Sequence, residues 1–174
     1  MALDIGQTCC FTGHRPDKLP WGLNENDPRC AALKAGLARE LDGLYRRGYR
    51  HFISGMAMGC DLYFAEAALA LRARCPGVTV EGAAPCPTQA QKWPEAPRRR
   101  WRAVLDACDL ETVVQDHYSP GCLLRRNRYM VDHSALVIAA YDGTEGGTRR
   151  TLEYALRRQV PFVDIWPEDD SPQQ

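Results

Sequence analysis

Short apolar runs alternate with amphipathic stretches along the whole chain. TCCFTG (8–13), YRHFISG (49–55), GVTVEGAAP (77–85) and ALVIAAY (135–141) are apolar and β-branched runs bounded by turn residues, the pattern of buried strands. LETVVQ (110–115) is a candidate fourth strand of the series and VPFVDIW (160–166) the last. Helical periodicity fills the gaps. It covers 29–47, where Leu33, Leu37, Leu41 and Leu44 form one stripe, then 61–74, about 97–108 after a Pro-rich loop, 122–133 and 148–159. Strands alternating with helices of ~10–15 residues predict a parallel sheet with right-handed crossovers. The fold class expected is therefore α/β, a Rossmann-like three-layer sandwich with a mostly parallel central sheet. One domain should cover 1–166, followed by a polar tail at 167–174. The helix at 61–74 carries Leu62, Phe64, Ala65, Leu69 and Leu71 on more than one side. That spread suggests cover for both the sheet and a second subunit, so a homodimer is expected.

Composition narrows the class. A chain of 174 residues, 45% hydrophobic and 25% charged, can bury a sizeable core as a soluble globular domain. Its apolar runs fall far short of the ~20 residues that span a bilayer, and MALDIGQT has neither the basic n-region nor the apolar h-region of a secretion signal. The expected location is the cytoplasm. The 22 basic and 22 acidic residues cancel, which argues against general affinity for nucleic acid or an anionic membrane. Local basic clusters remain at 98–102, 125–128, 149–150 and 157–158. Eight cysteines show neither C-x-x-C nor zinc-ligand spacing, and several lie in apolar runs. They read as reduced, buried thiols, with no metal site and no required cofactor.

Candidate chemistry sits where strands turn into helices, because ligands of open α/β sheets bind beyond the carboxyl ends of the strands. FTGHRP (11–16) puts Gly13, His14 and Arg15 there; it is either an ordinary turn or a phosphate fork. SGMAMGCD (54–61) supplies Gly55 and Gly59 around a loop, with Asp61 at the start of a helix whose N–H groups can hold an anion. In RRNRYMVDHS (125–134), Arg125 and Arg128 are i, i+3 neighbours, either a solvated face or a ligand clamp. In YDGTEGGTRRTLE, Gly143, Gly146, Gly147 and Thr148 lead into a helix N-terminus suited to phosphate. Glu153 is a candidate to reach a ribose or act as a base. It also stands four residues from Arg149 and from Arg157, and an ion pair is the slightly favoured reading.

These strings resemble a known superfamily. SGMAMGCDLYFAEAAL and RRNRYMVDHSALVIAAY are similar to segments of the DNA-processing protein DprA, also called Smf. GGTRRTLEYA is similar to the glycine turn and Thr/Glu helix of LOG phosphoribohydrolases. With the early TGHRP (12–16) and the spaced Pro85, Gln89 and Trp93, the chain is identified as resembling the YpsA-like branch of the SLOG superfamily. The resemblance implies a nucleotide or nucleotide-derived ligand, of NAD or ADP-ribose type among others. Gly13, His14, Arg15, Gly55, Gly59 and Asp61 would line the pocket, Arg125 would contact the ligand, and Gly146, Gly147 and Thr148 would form the phosphate turn. Trp93 stacks on a base or plugs the Pro-rich loop. If the chain is a hydrolase, Glu153 and Arg128 are its catalytic candidates, although Glu153 lies five residues past Thr148 where LOG enzymes have three.

Three functions of different classes remain at this stage. The first is a nucleotide-binding sensor or regulatory protein. The second is a LOG-like N-ribohydrolase acting on a nucleoside monophosphate, and the third a DprA-like binder of single-stranded DNA. Whether the protein is an enzyme is left open.

Overall fold

The computed structural model describes residues 2–167, so most of the expected polar tail lies outside the described residues. Six strands form one sheet: β1 (Thr8–Gly13), β2 (His51–Ser54), β3 (Thr79–Ala84), β4 (Leu110–Val113), β5 (Leu136–Ala140) and β6 (Phe162–Asp164). Five helices connect them: α1 (Pro28–Arg46), α2 (Cys60–Arg74), α3 (Glu95–Ala107), α4 (Cys122–Asp132) and α5 (Gly147–Arg157). The strand order is β4-β3-β2-β1-β5-β6, and every pairing among the described residues is parallel. The sheet grows outward from β1 in one direction through β4. Then α4 carries the chain back to β5 on the other side of β1. The direction of winding thus reverses between β1 and β5, and the crevice of a doubly wound sheet opens there.

Alternation along the strands explains the two outer layers. Cys9, Phe11, Phe52, Val80 and Ile138 face α1 and α2, where Phe11 stacks on Phe64 with ring centroids 4.9 Å apart. Cys10, Ile53, Ala83, Val137 and Ala139 point the other way, toward α4 and α5. With both faces covered, the central strands read as continuous apolar runs. Asp27 caps α1 by accepting the Arg29 N–H at 2.8 Å, Pro28 takes the first turn, and the stripe of Leu33, Leu37, Leu41 and Leu44 is buried. The third helix starts at Glu95, two residues before the expected boundary, because Pro97 is tolerated within a first turn. The flanking residues of β2 and β6 fall outside the ladder, so both strands are shorter than their apolar runs.

The apolar residues on several sides of α2 have an intrachain explanation. This helix lies on the sheet between α1 and α3, which buries Leu62, Phe64, Ala65 and Leu71 within the chain and packs Leu69 against two clusters. The pattern that suggested a subunit contact is that of a helix with three neighbours. All eight cysteines are free thiols, six of them buried. Burial pushes the Cys10 thiol up to about 12, so it packs as a small hydrophobe. No helix among the described residues is long and apolar enough to cross a membrane.

A charge cluster fastens the segment after β1 to the helical layer. Arg100 of α3 donates to Glu66 of α2 at 2.7 Å and to Glu25 at 2.9 Å, and Lys34 of α1 adds a 2.6 Å bond to Glu25. The Arg100 hydrogen bond is the main cause that holds the Glu25 carboxyl down at about 2. A carboxyl whose pKa is depressed by folding adds stability above its unfolded value, and that stability is lost as pH falls toward the folded value. Glu25→Gln should therefore shrink the drop in urea midpoint between about pH 5 and about pH 3 relative to the unmutated protein. Equal drops in the two proteins would show that the cluster adds no pH-dependent stability.

Candidate functional site

The register of β1 on β5 builds the site. Gly13 pairs with Ala140, so the chain leaves both strands side by side. His14 and Asp142 are then neighbours, with the imidazole Nε2 2.7 Å from Asp142 Oδ1. The same carboxylate oxygen accepts the Thr144 N–H at 3.0 Å and the Thr144 hydroxyl at 2.7 Å, which shapes the glycine turn. Partial burial pushes the Asp142 carboxyl up, but the bonds from Thr144 and His14 outweigh this and hold it below its usual range. Arg15 leads into a single 3-10 turn at Pro16–Lys18, and the Lys18 ammonium donates to the Glu145 carbonyl. The β1 and β5 turns are thus fastened at two points.

The β2–α2 loop completes the rim. The Ser54 hydroxyl donates to the Asp61 carbonyl at 2.8 Å, and the Asp61 carboxylate accepts the Ala57 N–H at 3.2 Å. The loop passes through Met56 at φ 61°, a strained position for a bulky residue, and through Gly59 at φ 86°. At Gly59 the backbone of the β1 turn approaches so closely that a β-carbon would lie 2.9 Å from the His14 carbonyl oxygen. That carbonyl accepts the Cys60 N–H at 3.3 Å. Glycine is required here for both its φ and its lack of a side chain.

The fourth wall comes from α4, where the structure differs from the sequence expectation. The expected pair, Arg125 and Arg128, faces away. Arg125 donates to Gln115 at 2.9 Å on the surface, and Arg128 lies 5.4 Å from the Tyr154 ring centroid. Arg126 points inward, with only 3% of its surface exposed. Its guanidinium donates to the Gly55 carbonyl and, at 3.3 Å, to the Ala83 carbonyl, while Nε donates to Asn127 at 2.8 Å. Burial lowers the Arg126 pKa from its usual value, the Asp61 charge opposes that, and Arg15 adds to it. Asp61 is likewise pushed up by burial against the pull of Arg126 and the Ala57 N–H. A helical signal for Arg126 was present in the sequence: it lies four residues from Cys122 and four from Met130, both buried, so it sits in the inward stripe.

These walls enclose a cavity of about 380 Å³ over the carboxyl ends of β1 and β5. Gly13, His14, Arg15, Asp61, Gly147 and Thr148 line it, as do Lys18, Arg126, Asn127 and Arg150, which the sequence reading had not selected. Gly55 and Gly59 support it from behind. Gly146 precedes the lining at φ 150° and ψ −163°, a conformation that glycine alone adopts readily. Glu153 does not line the cavity; it pairs with Arg149 at 3.0 Å on the exposed side of α5. Trp93 lies outside it too, against Trp101 and along a neighbouring cavity. Among the described residues no three His, Cys, Asp or Glu side chains gather as a metal-ligand set.

The electrostatics favour an anion. Arg15, Lys18, Arg126 and Arg150 face only two carboxylates, Asp17 and Asp61, in a chain whose formal charge is zero. Three helices also begin at the cavity. The N-caps of α2, α4 and α5 are Gly59, Gly121 and Gly146, and none supplies a side-chain cap. Each N-terminus carries roughly half a positive charge; the first N–H of α2, from Cys60, is taken by the His14 carbonyl and that of α4, from Cys122, by the Ser119 carbonyl.

Gly55 is the tightest point of this assembly. A β-carbon there would stand 2.7 Å from the Arg126 guanidinium carbon and 2.8 Å from an Asp61 carboxylate oxygen. Gly55→Ala should cost about 1–3 kcal/mol, a Tm decrease of roughly 2–12 °C. Gly43→Ala, in open space on α1, should instead raise Tm slightly by removing a helix-interior glycine. Similar Tm values for both variants would mean that the Arg126 contact imposes no constraint on Gly55.

Comparison with known proteins agrees with this architecture. The DNA processing protein A of Helicobacter pylori, described by its single-stranded DNA binding mode, superposes with a TM-score of 0.63 at 18% identity over 96% of this chain and 68% of its own. DprA of Streptococcus pneumoniae superposes with a TM-score of 0.60 at 18% identity, over 96% of this chain and 52% of its own. Among sequence relatives, the uncharacterized SPbeta prophage-derived protein YoqJ of Bacillus subtilis is 28% identical over 75% of this chain and 84% of its own length. The UPF0398 protein YpsA of the same organism is 26% identical over 86% and 80%. The YpsA family model matches residues 9–160, nearly the whole chain, and the chain therefore belongs to the YspA SLOG family.

Proposed function

We propose that this protein binds a nucleotide or nucleotide derivative and releases it unaltered, as a ligand-sensing or regulatory protein. The observation that carries this reading is the convergence of three helix N-termini and four basic side chains on one cavity at the switch point of the sheet. Phosphate is the anion that such a site fits, because arginine forks and backbone N–H groups together match its several acceptor oxygens. The Helicobacter pylori protein of the same fold binds single-stranded DNA, itself a phosphate-bearing molecule, which supports phosphate as the ligand chemistry. Binding is favoured over hydrolysis because Glu153, the carboxylate nominated by resemblance, is tied to Arg149 outside the cavity.

Gly147 offers a clean test. A β-carbon at Gly147 meets nothing within 4 Å, so a side chain can be accommodated without disturbing the fold. Gly147→Asp places a carboxylate at the start of α5, where the helix dipole favours it. The variant's own Tm should stay level or rise by at most about 4 °C. Nucleotide at about a hundred times its Kd should raise the Tm of the unmutated protein by roughly 5–10 °C, and Gly147→Asp should abolish that response. Chromatography should recover the nucleotide intact. Retention of the response in Gly147→Asp, or recovery of free base, would overturn the reading.

A further inference from the structure

A second cavity of about 820 Å³ opens beside the first, and its chemistry is different. The two share Arg15, Asp17, Ala57 and Leu123 as a common wall, so they are immediate neighbours. The first carries six charged side chains, Arg15, Asp17, Lys18, Asp61, Arg126 and Arg150. The second is lined by Leu23, Met58, Pro85, Trp93, Pro94 and Tyr118. Leu23 and Tyr118 are 72% and 67% exposed, unusual for large apolar side chains beside an open pocket. At the same cavity, the Gln91 carboxamide and the Lys92 ammonium have no hydrogen-bonding partner among the described residues. By contrast, Gln89 is engaged at both ends of its carboxamide, donating to the Gly55 carbonyl at 2.9 Å and accepting from Trp101 at 3.3 Å. Gln89 therefore holds the wall, while Gln91 is available to a ligand.

We infer that the second cavity is the subsite for the base of a nucleoside diphosphate whose phosphates occupy the first. This inference rests on the anion reading of the first cavity and adds the class of ligand. Four cations against two carboxylates leave two positive side-chain charges, and three helix N-termini add roughly half a charge each. That total matches a diphosphate better than a single phosphate. From the phosphates the ligand passes the shared wall, where the exposed Asp17 carboxylate lies. A carboxylate at that point accepts hydrogen bonds from ribose hydroxyls. Beyond it, the indole of Trp93 and the ring of Tyr118 supply a stacking surface, and the Gln91 carboxamide pairs with the donors and acceptors of the base edge. The site thus selects a molecule with a doubly charged head and a flat, hydrogen-bonding tail.

Asp17 makes the inference testable by sign. It repels the phosphates yet accepts from the ribose, so Asp17→Asn should tighten inorganic pyrophosphate and weaken ADP. Trp93→Ala should weaken ADP about 5- to 150-fold and leave pyrophosphate unchanged within about twofold. Trp93→Phe, which keeps an aromatic face, should recover most of the ADP affinity. All three are read by titration calorimetry on the 174-residue chain. If pyrophosphate binds but ADP binds no tighter, the base subsite is wrong while the anion site stands. The same follows if Trp93→Ala weakens both ligands equally, or if Asp17→Asn shifts both in one direction. Tighter binding of an oligodeoxynucleotide than of ADP would replace the free nucleotide with a nucleic-acid strand. If neither pyrophosphate nor ADP binds the unmutated protein, both readings fall together.

Discussion

The candidate site depends on one buried cation. The Arg126 guanidinium reaches from α4 under the sheet edge and donates to the carbonyls of Gly55 and Ala83. Taking a guanidinium out of water costs several kcal/mol unless hydrogen bonds and a counter-charge compensate. Here two main-chain carbonyls, the Asn127 amide oxygen and the field of Asp61 do so. The consequence is geometric as well as energetic. The fourth helix, the β2–α2 loop and the end of β3 are held in one arrangement, and the first two form part of the cavity. The same contact explains why residue 55 lacks a side chain, since both Arg126 and Asp61 occupy the space that a β-carbon would need.

The fold concentrates positive potential in a chain that has no net charge. The register of β1 against β5 sets the turns after both strands side by side, and His14 with Asp142 and Lys18 with Glu145 then fasten them together. Glycine N-caps leave three helix N-termini without side-chain partners at the same point. Backbone strain accompanies this, with Met56 at positive φ in the loop behind the cavity. Strained backbone of this kind persists only where the surroundings over-determine it, as the Ser54 and Asp61 hydrogen bonds do here. The groups around the cavity are therefore held in place by contacts within the chain itself.

Two cavities of unlike character share one wall. The solved structures that superpose on this chain share its fold at 18% identity. This chain's own residues separate a charged compartment from an aromatic one at Arg15 and Asp17. Under the proposed function, phosphate contacts would give affinity and the aromatic wall would distinguish one phosphate ester from another.

Much of the architecture was written in the local pattern. The alternation of strand and helix, the buried stripe of α1, the glycine turns at 13, 55, 59 and 146–147, and their place at the strand ends all follow from periodicity and turn chemistry. Local patterns place them, so a single sequence suffices, whereas the reason that 55 and 59 lack side chains lies in the distant Arg126 and His14. Other features depended on partners distant in the chain. Arg126 rather than Arg125 or Arg128 faces the cavity because the helix rotates to bury Cys122, Met130 and Val131 on the sheet, and the adjacent arginine is carried in with them. Glu153 points outward because Thr148, Thr151, Leu152 and Ala155 take the inner face of α5. The apolar sides of α2 are covered by α1, α3 and the sheet, neighbours that its own sequence does not specify. The sequence determined which elements form and where their turns lie. Tertiary packing decided which side chains of each element meet, because helix rotation is fixed by the summed burial of a face and not by any residue taken alone.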